Sequence, residues 1–107
     1  MAFFFPPWGG TYNLAIETEI DVTEDVEVPW SDDLQTVPAR WITFSVLATS
    51  AEPLLVSWDG GPDGFPLALA PGQSITIPDI SVTTLTAKPD GAGTCDFKWV
   101  AGAGPVT

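Results

Sequence analysis

The stretch Arg40-Trp41-Ile42-Thr43-Phe44-Ser45-Val46-Leu47-Ala48-Thr49 decides the fold class. Ile42, Phe44, Val46 and Ala48 fall on one side of an extended chain, and Trp41, Thr43, Ser45 and Leu47 on the other. Side chains alternate across a strand, so this period of two predicts a β-strand with one face in a core. Upstream, Tyr12 to Val22 repeats the pattern. Leu14, Ile16, Thr18, Ile20 and Val22 share one face, and Asn13, Ala15, Glu17, Glu19 and Asp21 share the other. That spacing predicts one long half-buried strand with a wet acidic side. Val26, Val28 and Trp30 continue the alternation, with Pro29 marking an edge or an end. Ser31-Asp32-Asp33-Leu34-Gln35 reads as a loop.

Downstream, Leu54 to Trp58, Phe65 to Ala70, Ser74 to Pro78, Ser81 to Ala87 and Thr94 to Ala101 are further strand candidates. Between them stand the turn clusters Asp59-Gly60-Gly61-Pro62-Asp63-Gly64, Pro71-Gly72 and Lys88-Pro89-Asp90-Gly91-Ala92-Gly93. Turn signals at intervals of about 8–12 residues are the pattern of an all-β sandwich or barrel. No helical stripe of useful length is present, and 11 Pro with 10 Gly oppose long helices. The expectation is a single all-β domain of seven or eight strands, a β-sandwich with jelly-roll or immunoglobulin-like connections spanning residues 12–101. Residues 1–11, with three Phe, two Pro and a Trp, read as an extended apolar N-terminal arm, and residues 102–107 as a small-residue tail.

Charge narrows the function. The 107 residues carry 14 acidic side chains against three basic ones, Arg40, Lys88 and Lys98, for a net charge of −11. Nucleic acid and anionic membrane surfaces are disfavoured as partners, since both require clustered Lys and Arg. Glu17 to Asp33 holds eight of the 14 acids, which reads as a solvated face or as a patch for a basic partner. The start of the chain has no basic region before its apolar run, so no signal peptide is expected and synthesis in a cytoplasm is.

The chemistry of catalysis is nearly missing. With no His and one Cys, neither a His-based triad nor a Cys–His dyad can form. Cys95, in an alternating segment with Phe97 and Trp99, reads as a buried small hydrophobe. Glu17, Glu19 and Asp21 stand about 7 Å apart at alternate strand positions, which would suit an acid–base pair but equally describes any solvated strand face. Asp59 and Asp63 offer two carboxylates for calcium, although Asp before Gly is also what a tight turn selects. The expectation is no enzyme, no cofactor and no metal. Of the tryptophans, Trp8, Trp30 and Trp58 are candidates for exposure, and such rings would let a carbohydrate- or receptor-binding module stack on its ligand.

From Trp41 to Ala101 the chain resembles small bacteriophage virion proteins. The residues that carry this are Phe44-Ser45-Val46-Leu47-Ala48-Thr49-Ser50, Pro53-Leu54-Leu55-Val56-Ser57-Trp58-Asp59-Gly60-Gly61, Leu69-Ala70-Pro71-Gly72-Gln73-Ser74-Ile75-Thr76-Ile77-Pro78 and Leu85-Thr86-Ala87-Lys88. The resemblance implies a β-sandwich in the virion that decorates or cements a capsid, or adapts a fibre to the particle, often as a homotrimer. Its partners would be the major capsid protein or other virion subunits. Phe3, Phe4, Phe5 and Trp8, held extended by Pro6 and Pro7, are then the expected docking arm, with Trp30 as a further contact.

Overall fold

The computed structural model describes residues 7–27, 34–59, 61 and 63–103. Ten strands run through them: β1 (Trp8–Leu14), β2 (Thr18–Asp21), β3 (Glu24–Glu27), β4 (Leu34–Val37), β5 (Trp41–Val46), β6 (Leu54–Trp58), β7 (Leu67–Leu69), β8 (Ser74–Ile77), β9 (Thr84–Pro89) and β10 (Cys95–Gly102). Eight of them build two four-stranded antiparallel sheets, ordered β1-β10-β5-β8 and β2-β9-β6-β7, while β3 and β4 pair with each other.

The pairing scheme discriminates between the two expected topologies. Of the eight sandwich strands, the first pairs with the last (β1 with β10) and the second with the second-last (β2 with β9). The third pairs with the sixth (β5 with β8) and the fourth with the fifth (β6 with β7). A long antiparallel ribbon folded at its middle and rolled into two sheets has this order, so the connections are those of a jelly roll. The β3–β4 hairpin is an insertion at one corner.

Alternation explains the core. The inward row of β5 is Ile42, Phe44 and Val46, and that of β10 is Cys95, Phe97, Trp99 and Ala101. Ile20, Leu54, Val56, Leu69, Leu85 and Ala87 come from the opposing sheet, and both rows join one apolar cluster. Tyr12 stacks on Phe97 with ring centroids 5.7 Å apart and closes the cluster beneath β1.

Three expectations are corrected. Tyr12 to Val22 is not one strand: the chain leaves the first sheet after Leu14 and enters the second at Thr18. An unbroken eleven-residue strand would span about 36 Å, and a rolled ribbon has to change sheets at such a corner. The alternation survives the crossing, so Leu14, Ile20 and Val22 all reach the core, while Ile16 at the crossing is 74% exposed. Leu34 and Gln35, expected in a loop, open strand β4, because their backbone groups are taken up by β3. Finally, the sheet begins at Trp8 and not at Tyr12, and it ends at Gly102. Residues 8–11 therefore belong to the sandwich, pairing with residues 98–101, and any arm is confined to what precedes them.

Candidate interaction surfaces

Trp8 is not part of a free arm. It is half-buried against the core, and its indole N–H donates to the Val22 carbonyl at 3.0 Å. This bond ties the start of β1 to the end of β2, across the two sheets. Phe3, Phe4, Phe5 and Trp30 lie outside the described residues. The remaining tryptophans separate by strand position. Trp99 is buried at 4% exposure, as its row with Cys95 and Phe97 predicts, and its Nε1 has no acceptor among the described residues. Trp41 is half-buried and stands in the outward row of β5. Trp58 is half-buried at the end of β6 and packs against the core.

Beside Trp58 lies a depression of about 320 Å³, lined by Trp58, Asp59, Asp79, Ile80, Ser81 and Val82. Gly61 lies close against the indole of Trp58: a Cβ there would stand 2.5 Å from the Trp58 Nε1, a contact that glycine avoids. Asp79 holds φ at 57°, a left-handed conformation that Asp tolerates better than most residues. Sequence reasoning missed Asp79 and Ser81, because the segment Pro78 to Ser81 comes beside β6 only through the β6–β9 pairing.

Asp59 performs a structural task at this site. Its Oδ1 accepts the backbone N–H groups of Thr83 and Thr84, both at 2.9 Å, and its Oδ2 accepts the Thr83 hydroxyl at 2.9 Å. Burial alone pushes this carboxyl up, but the bonds from Thr84 and Thr83 outweigh it and leave it below the usual carboxylate range. Asp63 is exposed and does not join it, and among the described residues no three His, Cys, Asp or Glu side chains converge as a metal would require.

The acidic row also rearranges. Glu19 and Asp21 are exposed on β2, whereas Glu17 lies in the crossing before it, so the three do not share one strand face. Asp21 accepts the Thr23 N–H at 2.9 Å and the Thr23 hydroxyl at 2.7 Å, which lowers its pKa. Cys95 is fully buried and its thiol is pushed up by desolvation, the opposite of what a nucleophile needs.

The outward face of the β1-β10-β5-β8 sheet carries pairs of small polar groups. The hydroxyls of Thr43 and Thr76 bond at 2.7 Å, Ser74 donates to Ser45 at 2.9 Å, and the Asn13 amide donates to the Asp96 carboxylate. These pairs tie β5 to β8 and β1 to β10. No protein-family model matches the sequence, and no curated protein is significantly similar to it.

Proposed function

We propose that the chain is a non-enzymatic structural protein of a bacteriophage virion, decorating or cementing the capsid through apolar and sheet contacts with neighbouring subunits. The observation that carries the reading is the jelly roll itself, with its interior filled by side chains from both sheets. A small sandwich closed in this way works through its surface. Jelly rolls recur in viral coats and in lectins, an argument by analogy of fold. The residues that precede β1, Phe3 to Phe5 among them, are the proposed docking segment.

Pelleting capsid shells with the purified chain tests this. The full chain is expected to co-sediment at a saturable, fixed copy number. A version lacking residues 2–6 should melt at the same temperature and fail to co-sediment. The deletion stops short of Trp8, whose bond to Val22 belongs to the fold. Absence of any binding by the full chain would remove the proposal.

A second reading, a carbohydrate- or receptor-binding module, is favoured by the depression at Trp58. An indole beside Asp79 and Ser81 combines an apolar face with groups that bond hydroxyls. Glycan binding that disappears in Asp79→Ala and Ser81→Ala, with melting unchanged, would carry it.

A further inference from the structure

The two sheets present four edges, and three of them are short. β2 has four residues and carries Glu19 and Asp21, β7 has three and follows Pro66, and β8 has four and ends against Pro78. β1 differs. Its seven residues, Trp8-Gly9-Gly10-Thr11-Tyr12-Asn13-Leu14, contain no charge and no proline. They pair one-to-one with β10 from Trp8–Ala101 to Leu14–Cys95 without a bulge. Among the described residues nothing pairs with the other side of β1. Short length, charge, proline and bulges are how proteins guard an edge, and β1 uses none of them.

We propose that β1 is the homodimer edge of this protein. Two copies join antiparallel through β1 about a two-fold axis at Thr11, making one continuous sheet of eight strands. The occupant is a second copy because the strand is complementary to itself in this register. Thr11 meets Thr11, Gly9 meets Asn13, and Trp8 meets Leu14 of the second copy. Gly10 meets Tyr12, the arrangement in which an aromatic ring covers a cross-strand glycine. Within one copy the Tyr12 ring already leans to 3.0 Å from where a Gly10 Cβ would stand.

Charge sets β2 aside. A chain of net charge −11 repels its own copies, and close approach is most opposed along the edge that carries Glu19 and Asp21. The uncharged β7 and β8 are set aside by their length and flanking prolines. The contact is two-fold, in place of the three-fold arrangement implied by the virion resemblance, and it does not depend on capsid binding.

Sedimentation velocity of the full chain across the micromolar range tests the proposal. The wild type is expected to form a concentration-dependent dimer. Thr11 is exposed, and Thr11→Glu sets two carboxylates opposite each other at the axis. It is expected to weaken the dimer several-fold, with Lys98, the cross-strand neighbour of residue 11, offsetting part of the repulsion. Register is read separately by cross-linking. Under mild oxidation Thr11→Cys should form a disulfide dimer, since directly opposed Cβ atoms lie about 4.5–5.5 Å apart. Asn13→Cys should not, because Asn13 faces Gly9. The native Cys95 is fully buried and does not compete. A monomer at all concentrations, a trimer, or a dimer that cross-links through Asn13 and not Thr11 would overturn the proposal. If Thr11→Glu fails to fold, the two cysteine variants decide alone.

Discussion

Asp59 closes β6 with a carboxylate that accepts three hydrogen bonds from Thr83 and Thr84, joining the end of one strand to the start of β9. Replacing it by Ala removes the acceptors and leaves two backbone N–H groups to water. The expected cost is about 1–2 kcal/mol, at the low end for charged hydrogen bonds because the site is open to solvent. The same bonds hold its folded pKa below the unfolded value near 3.9. Such a group contributes stability above the unfolded pKa, and the contribution is lost as pH falls through the folded one. Asp21, lowered by Thr23, acts in the same direction. Urea midpoints measured from neutral pH down to about pH 2 should therefore fall more steeply for the wild type than for Asp59→Ala. Parallel curves would show that the Asp59 clamp is energetically silent. Nothing in the sequence announced this clamp. Asp59 before two glycines reads as a turn residue, and its partners lie 24 and 25 positions away.

At the scale of elements, the β3–β4 hairpin is the most separable part of the fold. Among the described residues its strands pair only with each other, whereas the residues flanking it are fixed to one place. Val22 N–H bonds to the Thr83 carbonyl at 3.0 Å, and Ala39 exchanges two bonds with Val82 at 2.8 and 2.9 Å. Entry and exit thus meet at adjacent residues of one segment, so a short Gly-Ser loop can replace residues 24–37. Loop closure changes slowly with length, by about 0.6 kcal/mol per doubling. The shortened protein should melt within a few degrees of the full chain. Cooperative unfolding lost altogether would mean that the hairpin belongs to the core. The excision also removes Trp30, so a folded variant that no longer binds capsid shells would assign that contact to the hairpin.

This hairpin also marks where sequence reading stopped. The inward rows of β5, β9 and β10 were legible because their alternation is strong and bounded by glycine and proline turns. β4 was not, since Leu34-Gln35-Thr36-Val37 is short, follows two aspartates in the sequence and becomes a strand by pairing with β3. The same holds for edges. That β1 is an outer strand depends on its pairing with β10, across nearly the whole chain, and local pattern carries no trace of it. Of the expected contact residues, Trp8 read as exposed because its apolar neighbours suggested an arm, whereas its indole anchors β1 to β2.

For the whole molecule, the balance to be struck is between a neutral seam and a strongly negative body. Each copy carries a net charge of −11, so two copies meeting at β1 bring their repulsion to the contact even though the strand itself is uncharged. Raising ionic strength from about 0.01 M to about 0.15 M shortens the screening length from about 30 Å to about 8 Å. That range is comparable to the width of a sheet half, so most of the repulsion between the two bodies is removed while the backbone bonds of the seam are untouched. Dimerisation should therefore strengthen several-fold with added salt, and the monomer's melting temperature should rise as the self-repulsion of Glu17 to Asp33 is screened. Light scattering at matched protein concentration in the two buffers reads the first effect, and Thr11→Glu, held monomeric, isolates the second in a thermal melt. An association that weakens with salt would mean that ion pairs carry the contact. It would move the interface away from β1 to a surface holding Arg40 or Lys88.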